Sequence, residues 1–147
     1  MRDAIISIRP EYVKKFISGE KTVELRSRRV NLAPGARLWI YTTLPKGRFE
    51  VLAVVDNVVS DSPEEIWERF GIYMAISEET FRHYVNGSKC VSAIVTKSIH
   101  QFPIDINLSD LKSQVPDFHP PQFVKYLTET DPLSIELEKH LNSCLKG

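Results

Sequence analysis

Gly19-Glu20-Lys21-Thr22-Val23-Glu24-Leu25-Arg26 is the stretch on which the architecture of this chain turns. From Lys21 to Arg26 polar and apolar residues alternate, so Val23 and Leu25 share one face of an extended segment, and Thr22, Glu24 and Arg26 share the other. That is a strand with one face for a core and one charged face. Before it, Tyr12, Val13, Phe16 and Ile17 recur at helical spacing and mark the apolar side of a short amphipathic helix, opened by Pro10 and stopped by Ser18-Gly19. Ala4-Ile5-Ile6-Ser7-Ile8, closed by Arg9-Pro10, reads as the strand that feeds this helix.

Beyond Arg26, residues 31–35 read as a turn and residues 37–43 as a strand that stops at Leu44-Pro45-Lys46-Gly47. Residues 49–59 are almost continuously apolar, as in a strand covered on both faces or curled into a barrel wall. Ser62-Pro63-Glu64-Glu65 predicts a helix start with Ser62 as N-cap and Glu65 completing a capping box; Ile66, Trp67 and Phe70 form its apolar side, and Gly71 its end. Ser77 starts another helix in which Phe81, Tyr84 and Val85 face inward. Residues 89–99 predict a strand, 100–108 a separate edge strand interrupted by Pro103, 116–122 an extended segment and 123–127 a last strand. Asp131-Pro132 opens a helix carrying Leu133, Leu137, His140 and Leu141 on one side. This order lacks the regular alternation of a parallel fold and predicts an α+β class: a mixed, curled sheet with short helices inserted.

At 147 residues, 42% of them hydrophobic and 26% charged, the chain has the length and composition of one globular domain that needs neither metal nor disulfide to fold. A domain over residues 1–130, with residues 131–147 as its C-terminal helical appendage, is the expected organisation. No apolar run approaches the roughly 20 residues needed to cross a bilayer, and Met1-Arg2-Asp3 leads directly into a strand, so a cytoplasmic protein without membrane contact is expected. Cys90 and Cys144 are the only cysteines and are read as free thiols. The net charge of zero hides an asymmetry: residues 1–50 carry eleven Lys or Arg against five acids, a balance of +6 that the remainder cancels. Such a basic half suits small anions or short structured nucleic acids better than long duplexes.

Gly19, Lys21, Glu24 and Arg26, placed after a short amphipathic helix, stand as Gly-x-Lys-x-x-Glu-x-Arg, which resembles the signature of the ASCH domain family. Ile6-Ser7-Ile8-Arg9-Pro10, Tyr41-Thr42-Thr43-Leu44-Pro45, Pro63-Glu64-Glu65-Ile66-Trp67, Ile76-Ser77-Glu78-Glu79-Thr80-Phe81 and Pro120-Pro121-Gln122-Phe123 follow in the order of one prokaryotic branch of that family, so the resemblance spans residues 4–127. It implies a PUA-like β-barrel, with a cleft between the first helix and the barrel wall for RNA or a nucleotide-like ligand. Some proteins of the family are amidohydrolases on acylated cytidine that use a Lys, a Thr three residues later and a distant Glu, and others are ribonucleases. Lys21 fits the first of those roles. The position three later is Glu24, Thr22 sits only one residue along a strand whose side chains alternate and does not replace that Thr, and the distant acid could correspond to Glu64, Glu65, Glu78 or Glu79.

In physical terms Glu24 and Arg26 are same-face neighbours that jointly present an acceptor and a donor fork, with Lys21 at their entrance. Lys21 and Arg26 then contact an anion or a base edge, and Glu24 accepts from a base amino group or acts as a general base; alternatively the three are a structural ion network that closes the barrel mouth. Arg9, Arg28, Lys46 and the Tyr41-Thr42-Thr43 run complete the candidate ligand contacts, with Tyr41 as a stacking surface and Trp39 and Trp67 read as core. Lys21 and Glu24 are the candidate catalytic pair if the chain is an enzyme. No cofactor or metal is expected, since His83, His100, His119 and His140 show no pairing that suggests ligation. Three classes follow: a binder of RNA or nucleotides with a possible regulatory role, an enzyme on a nucleic-acid component, and a protein-interaction module that docks through the terminal helix.

Overall fold

A computed structural model describes the backbone of residues 2–146 and the side chains of residues 2–142, which leaves the Cys144 thiol outside the described residues; Cys90 is half-buried and free. Strands β1 (Asp3–Ile8), β2 (Val23–Arg26), β3 (Arg37–Thr42), β4 (Arg48–Asp61), β5 (Val91–Asn107) and β6 (Val124–Leu127) form one sheet in the order β2-β5-β4-β3-β1-β6. β1 runs parallel to β3, and every other pairing is antiparallel. Helices α1 (Pro10–Ser18), α2 (Pro63–Phe70), α3 (Glu78–Tyr84), α4 (Leu108–Gln114) and α5 (Pro132–Lys146) are placed between and after the strands. The expected α+β class and mixed, curled sheet are both found.

Curling is the work of the two long strands. The β4–β5 register shifts between Phe49 and Val51, between Val54 and Val55 and between Val55 and Asn57. Each such bulge bends the strand and increases its twist. The first half of β4 therefore pairs with β3, while its second half and the start of β5 turn away to carry β2, and the sheet becomes a half-barrel with two wings. α1 leaves β1 in one wing and delivers the chain to β2 in the other.

Strand alternation sorts the apolar residues into separate cores. Ala4, Ile6 and Ile8 of β1, Leu38 and Ile40 of β3 and Val51, Ala53 and Val55 of β4 pack under Val13 and Phe16 of α1. Ile5, Trp39, Tyr41, Phe49 and Leu52 face the other way and meet Leu111 of α4, Phe118, and Leu133 and Leu137 of α5. Val23 and Leu25 of β2 and Val91 and Ala93 of β5 are covered by Ile66 of α2, Met74, and Phe81 and Val85 of α3. Arg37 ties the second layer together, pairing with Asp3 at 2.8 Å and with Glu138 of α5. Burial lowers the pKa of this guanidinium, but its bonds to Glu138 and Asp3 outweigh that and raise it.

Several expectations need correction. The two strands expected over 89–99 and 100–108 are one continuous β5, because Pro103 falls between the Gln101 and Ile106 pairings, inside the bulge where a missing N–H breaks no ladder bond. α4 is a helix the pattern does not predict; Asn107 stands at its N-cap but its side chain makes no capping bond. Ser62 does cap α2 by accepting from Glu65 N at 3.3 Å, yet the reciprocal bond to Ser62 N comes from Asp61 at 2.7 Å, not from Glu65. The chain does not leave the helical turn at Gly71 but tightens there into a 3-10 turn over Gly71–Tyr73. Gly71 is required for a packing reason, since a Cβ there would lie 2.8 Å from the Trp67 ring. Ile17 is not part of the buried stripe and stands 39% exposed.

No helix of the described residues is long and apolar enough to cross a membrane. Because Leu137 is fully buried between α5 and the sheet, Leu137→Ala is expected to cost about 2–5 kcal/mol in urea unfolding, with little change in the slope of the transition.

Candidate functional site

β2 is short and lies at one end of the sheet, and its two faces have opposite fates. Val23 and Leu25 enter the third core, while Glu24 and Arg26 turn toward α1. Arg26 Nη2 donates to Glu24 Oε2 at 2.7 Å and to Ser7 O at 3.1 Å. Lys21 Nζ lies 3.2 Å from Glu24 Oε1 and donates to Met74 O at 3.0 Å. The side chains of Lys21, Glu24 and Arg26 are 3%, 12% and 9% exposed, so the triad is buried. One donor in it is unmatched: Arg26 Nε is buried and has no hydrogen-bond partner.

The backbone explains why Lys21 reaches back over the strand. Gly19 caps α1 at φ +84°, where a residue with a Cβ would be strained, and Lys21 N then bonds Lys15 O at 3.0 Å. Three consecutive carbonyls, starting with the last residue of the 3-10 turn, are held by this segment: Tyr73 O by Thr22 N, Met74 O by Lys21 Nζ and Ala75 O by Lys15 Nζ. Ala75 is held at φ +57°, a conformation that L residues seldom adopt and that the surrounding bonds sustain. The Lys21 ammonium also lies 5.3 Å from the Phe16 ring centroid and 5.6 Å from that of Tyr12.

A cavity of about 330 Å³ opens over the triad. Lys21, Glu24 and Arg26 line it together with Ser7, Ile8 and Arg9 at the end of β1, and Tyr12 of α1. Its far wall is Ile76 and one face of α3, where Thr80, His83 and Tyr84 fall at i, i+3 and i+4. Tyr84, expected to face inward with Phe81 and Val85, is 44% exposed and faces the cavity. The helical spacing of Thr80, His83 and Tyr84 was the signal for that wall.

Of the nine candidate contacts, the structure brings Arg9, Lys21, Glu24 and Arg26 to this cavity and leaves five outside its lining. Arg28 is exposed with its guanidinium 5.1 Å from the Phe123 ring centroid, and Lys46 is exposed in the turn before β4. Tyr41 is buried in the second core, edge-on to Phe49 at 5.5 Å, so it offers no stacking face. Thr42 is fully buried with an unpartnered hydroxyl, and Thr43 is half-buried with its N–H bonded to Ile8 O at 3.0 Å. Trp39 is core as expected, whereas Trp67 is only half-buried, tilted against Phe81 at 4.8 Å. Glu64, Glu65, Glu78 and Glu79 are all exposed, outside the cavity over the triad; Glu64 and Glu78 pair with Arg82. Among the described residues no three His, Cys, Asp or Glu are grouped to hold a metal ion.

Two expectations about stability follow. Glu24→Gln leaves two buried cations without their anion and is expected to cost about 3–5 kcal/mol in denaturant unfolding. Burial pushes the Tyr41 phenol above its ordinary pKa, so the folded chain keeps a proton that the unfolded chain releases above about pH 10. The contribution is complete below that pH and is lost as pH rises through the folded value. Unfolding curves between pH 9 and 11 should therefore show the wild type losing stability relative to Tyr41→Phe.

A family model described as a domain of unknown function (DUF365) matches residues 3–128. A protein of Zymomonas mobilis named ASCH domain-containing ribonuclease is 35% identical over 130 residues, covering 88% of this chain and 87% of its own. The crystal structure of ASCH from Zymomonas mobilis superposes with a TM-score of 0.84 at 32% identity, over 93% of this chain and 94% of that one. A protein of Agrobacterium tumefaciens, 13% identical with a TM-score of 0.50 over 99% of this chain and 92% of its own, shares the fold alone. With a sequence match that runs through the Lys21–Arg26 motif and a common half-barrel, the chain belongs to the ASCH domain family.

Proposed function

We propose that the chain binds single-stranded RNA and holds one unpaired nucleotide in the cavity over Lys21, Glu24 and Arg26. The observation that carries this is the Nε of Arg26, a buried donor without a partner in a side chain that lines the cavity. Leaving such a group unmatched costs about 1–3 kcal/mol, which an acceptor on a ligand would recover. Glu24 has one bond at each carboxylate oxygen and so keeps acceptor capacity for a base amino group. Tyr12 and Tyr84 offer rings in the walls, the usual means of holding an unstacked base. Arg9, 74% exposed at the rim, suits the attached phosphate. The ribonuclease name of the Zymomonas relative points to the same polymer.

That name also favours a second reading, in which the bound RNA is cleaved. The 2′-oxygen would attack the adjacent phosphorus while Glu24 takes its proton, and the bond from phosphorus to the 5′-oxygen would break as His83 supplies a proton to that oxygen. Lys21 and Arg26 would stabilise the charge on the phosphorane. Amide hydrolysis is less well supported. No hydroxyl stands three residues after Lys21, and its ammonium is engaged by Glu24 and Met74 O.

A single replacement set separates binding from structure. Lys21→Met, Glu24→Leu and Arg26→Met together remove the buried charges without leaving one unpaired, and the triple variant is expected to fold with stability within about 2 kcal/mol of wild type. Its anisotropy titration with short labelled RNAs at low salt should show at least ten-fold weaker binding; unchanged binding would reject the proposal. In a gel cleavage assay, His83→Ala should keep RNA affinity and lose most turnover if the second reading holds. Undiminished cleavage would exclude His83 from it.

A further inference from the structure

A second cavity, about 460 Å³, lies on the far side of the wall made by Tyr12, Ile76 and Thr80, residues that line both spaces. The first cavity is floored by the ion triad. This one is walled by Trp67, Gly71 and Ile72, with Lys15 at its edge. Each volume lies in the lower part of the roughly 300–1,000 Å³ range of small-molecule sites. The wall between them is held rigidly, since Lys21 grips Met74 O from the first side and Lys15 grips Ala75 O from the second. The two ammonium groups stand 5.6 and 5.7 Å from the Tyr12 ring centroid. Lys15 bonds Ala75 O at 2.9 Å and lies 3.7 Å from the Glu20 carboxylate; its side chain is 37% exposed, and one of its three donors stays open. Ile72, 83% exposed, presents an apolar surface left open among the described residues.

We infer that the second cavity is a subsite for the base of an adjacent nucleotide, so that the recognised unit is a dinucleotide astride Tyr12. The inference rests on the RNA-binding reading of the first cavity. The apolar part of its lining, Trp67, Ile72 and Ile76, suits a flat, weakly hydrated ring. Glu78, which also lines this cavity, disfavours a phosphate inside it. The phosphodiester between the two bases passes over the dividing wall, where Lys15 can donate to it and Thr80 presents a hydroxyl.

The test compares 2′-fluoro ribonucleoside 5′-monophosphates with 5′-phosphorylated 2′-fluoro dinucleotides, which lack the 2′-hydroxyl needed for cleavage, by calorimetry on the full chain. For wild type, the best dinucleotide should bind at least about five-fold more tightly than the better of its constituent mononucleotides, equivalent to about 1 kcal/mol from the second base. Ile72→Glu puts a carboxylate at the mouth of the second cavity from an exposed position, and should bring that ratio below about two-fold. A wild-type ratio under five-fold, with mononucleotides still bound, overturns the dinucleotide site and leaves the first cavity standing. A ratio undiminished in Ile72→Glu places the second base elsewhere and also overturns it. If neither series binds, the RNA-binding reading fails and this inference fails with it.

Discussion

The carboxylate of Glu24, enclosed between the ammonium of Lys21 and the guanidinium of Arg26, links parts of the chain that the sheet alone does not hold together. Through Arg26 it reaches the carbonyl of Ser7 at the end of β1, and through Lys21 that of Met74, ahead of α3. The two wings of the half-barrel and the α2–α3 insertion are thereby referred to one ion. Buried triads of this kind gain little over apolar residues of equal volume, because desolvation consumes most of the Coulombic attraction. Their strength is positional: three charged groups and two backbone carbonyls are bonded together, with Arg26 Nε alone left unmatched, and so the floor of the cavity has one geometry.

Much of this architecture could be read from local pattern. The alternation of residues 21–26 correctly separates Val23 and Leu25 from Glu24 and Arg26, because a strand on a core has no other way to distribute such residues. What escaped the sequence depends on partners distant in the chain. Tyr41 lies beside two threonines and looks like a rim residue, but the pleat that sends Ile40 to one core sends Tyr41 to the other. The continuity of β5 through Pro103 depends on a bulge opposite Phe49 and Val51, which is a property of the pair and not of either strand. The positive φ of Ala75 had no glycine to announce it. Of the site, the motif located the floor; the opposite wall, from Thr80 to Tyr84, needed the placement of α3.

The charge asymmetry of the sequence also looks different once the partners are known. Arg37 is committed to Asp3 and Glu138, and Arg48 to Glu50 and Asp105 at 2.8 and 3.1 Å. Two of these four acids, Glu138 and Asp105, come from beyond residue 50, so part of the basic excess of residues 1–50 is cancelled inside the fold. Arg9 at the cavity rim and the exposed Arg28 remain as surface cations on the site side of β1 and β2. The field felt by a ligand is therefore local, set by a few residues near the cavity and not by one half of the molecule.

β1 lies inside the sheet, with β3 on one side and β6 on the other, and its pairing with β6 joins Asp3 to Leu127. On a ribosome, β1 must wait until β6 has been made before its second edge is covered. Until then Ala4, Ile5 and Ile6 sit on a strand open to pairing with any other nascent chain. Contacts between such distant positions also slow the final closure, since the loop entropy is lost before the strand pairing is gained. The exposed period of the edge is thus set by translation speed, and slow synthesis through β4 and β5 should raise co-translational aggregation more than any change in the finished protein's stability.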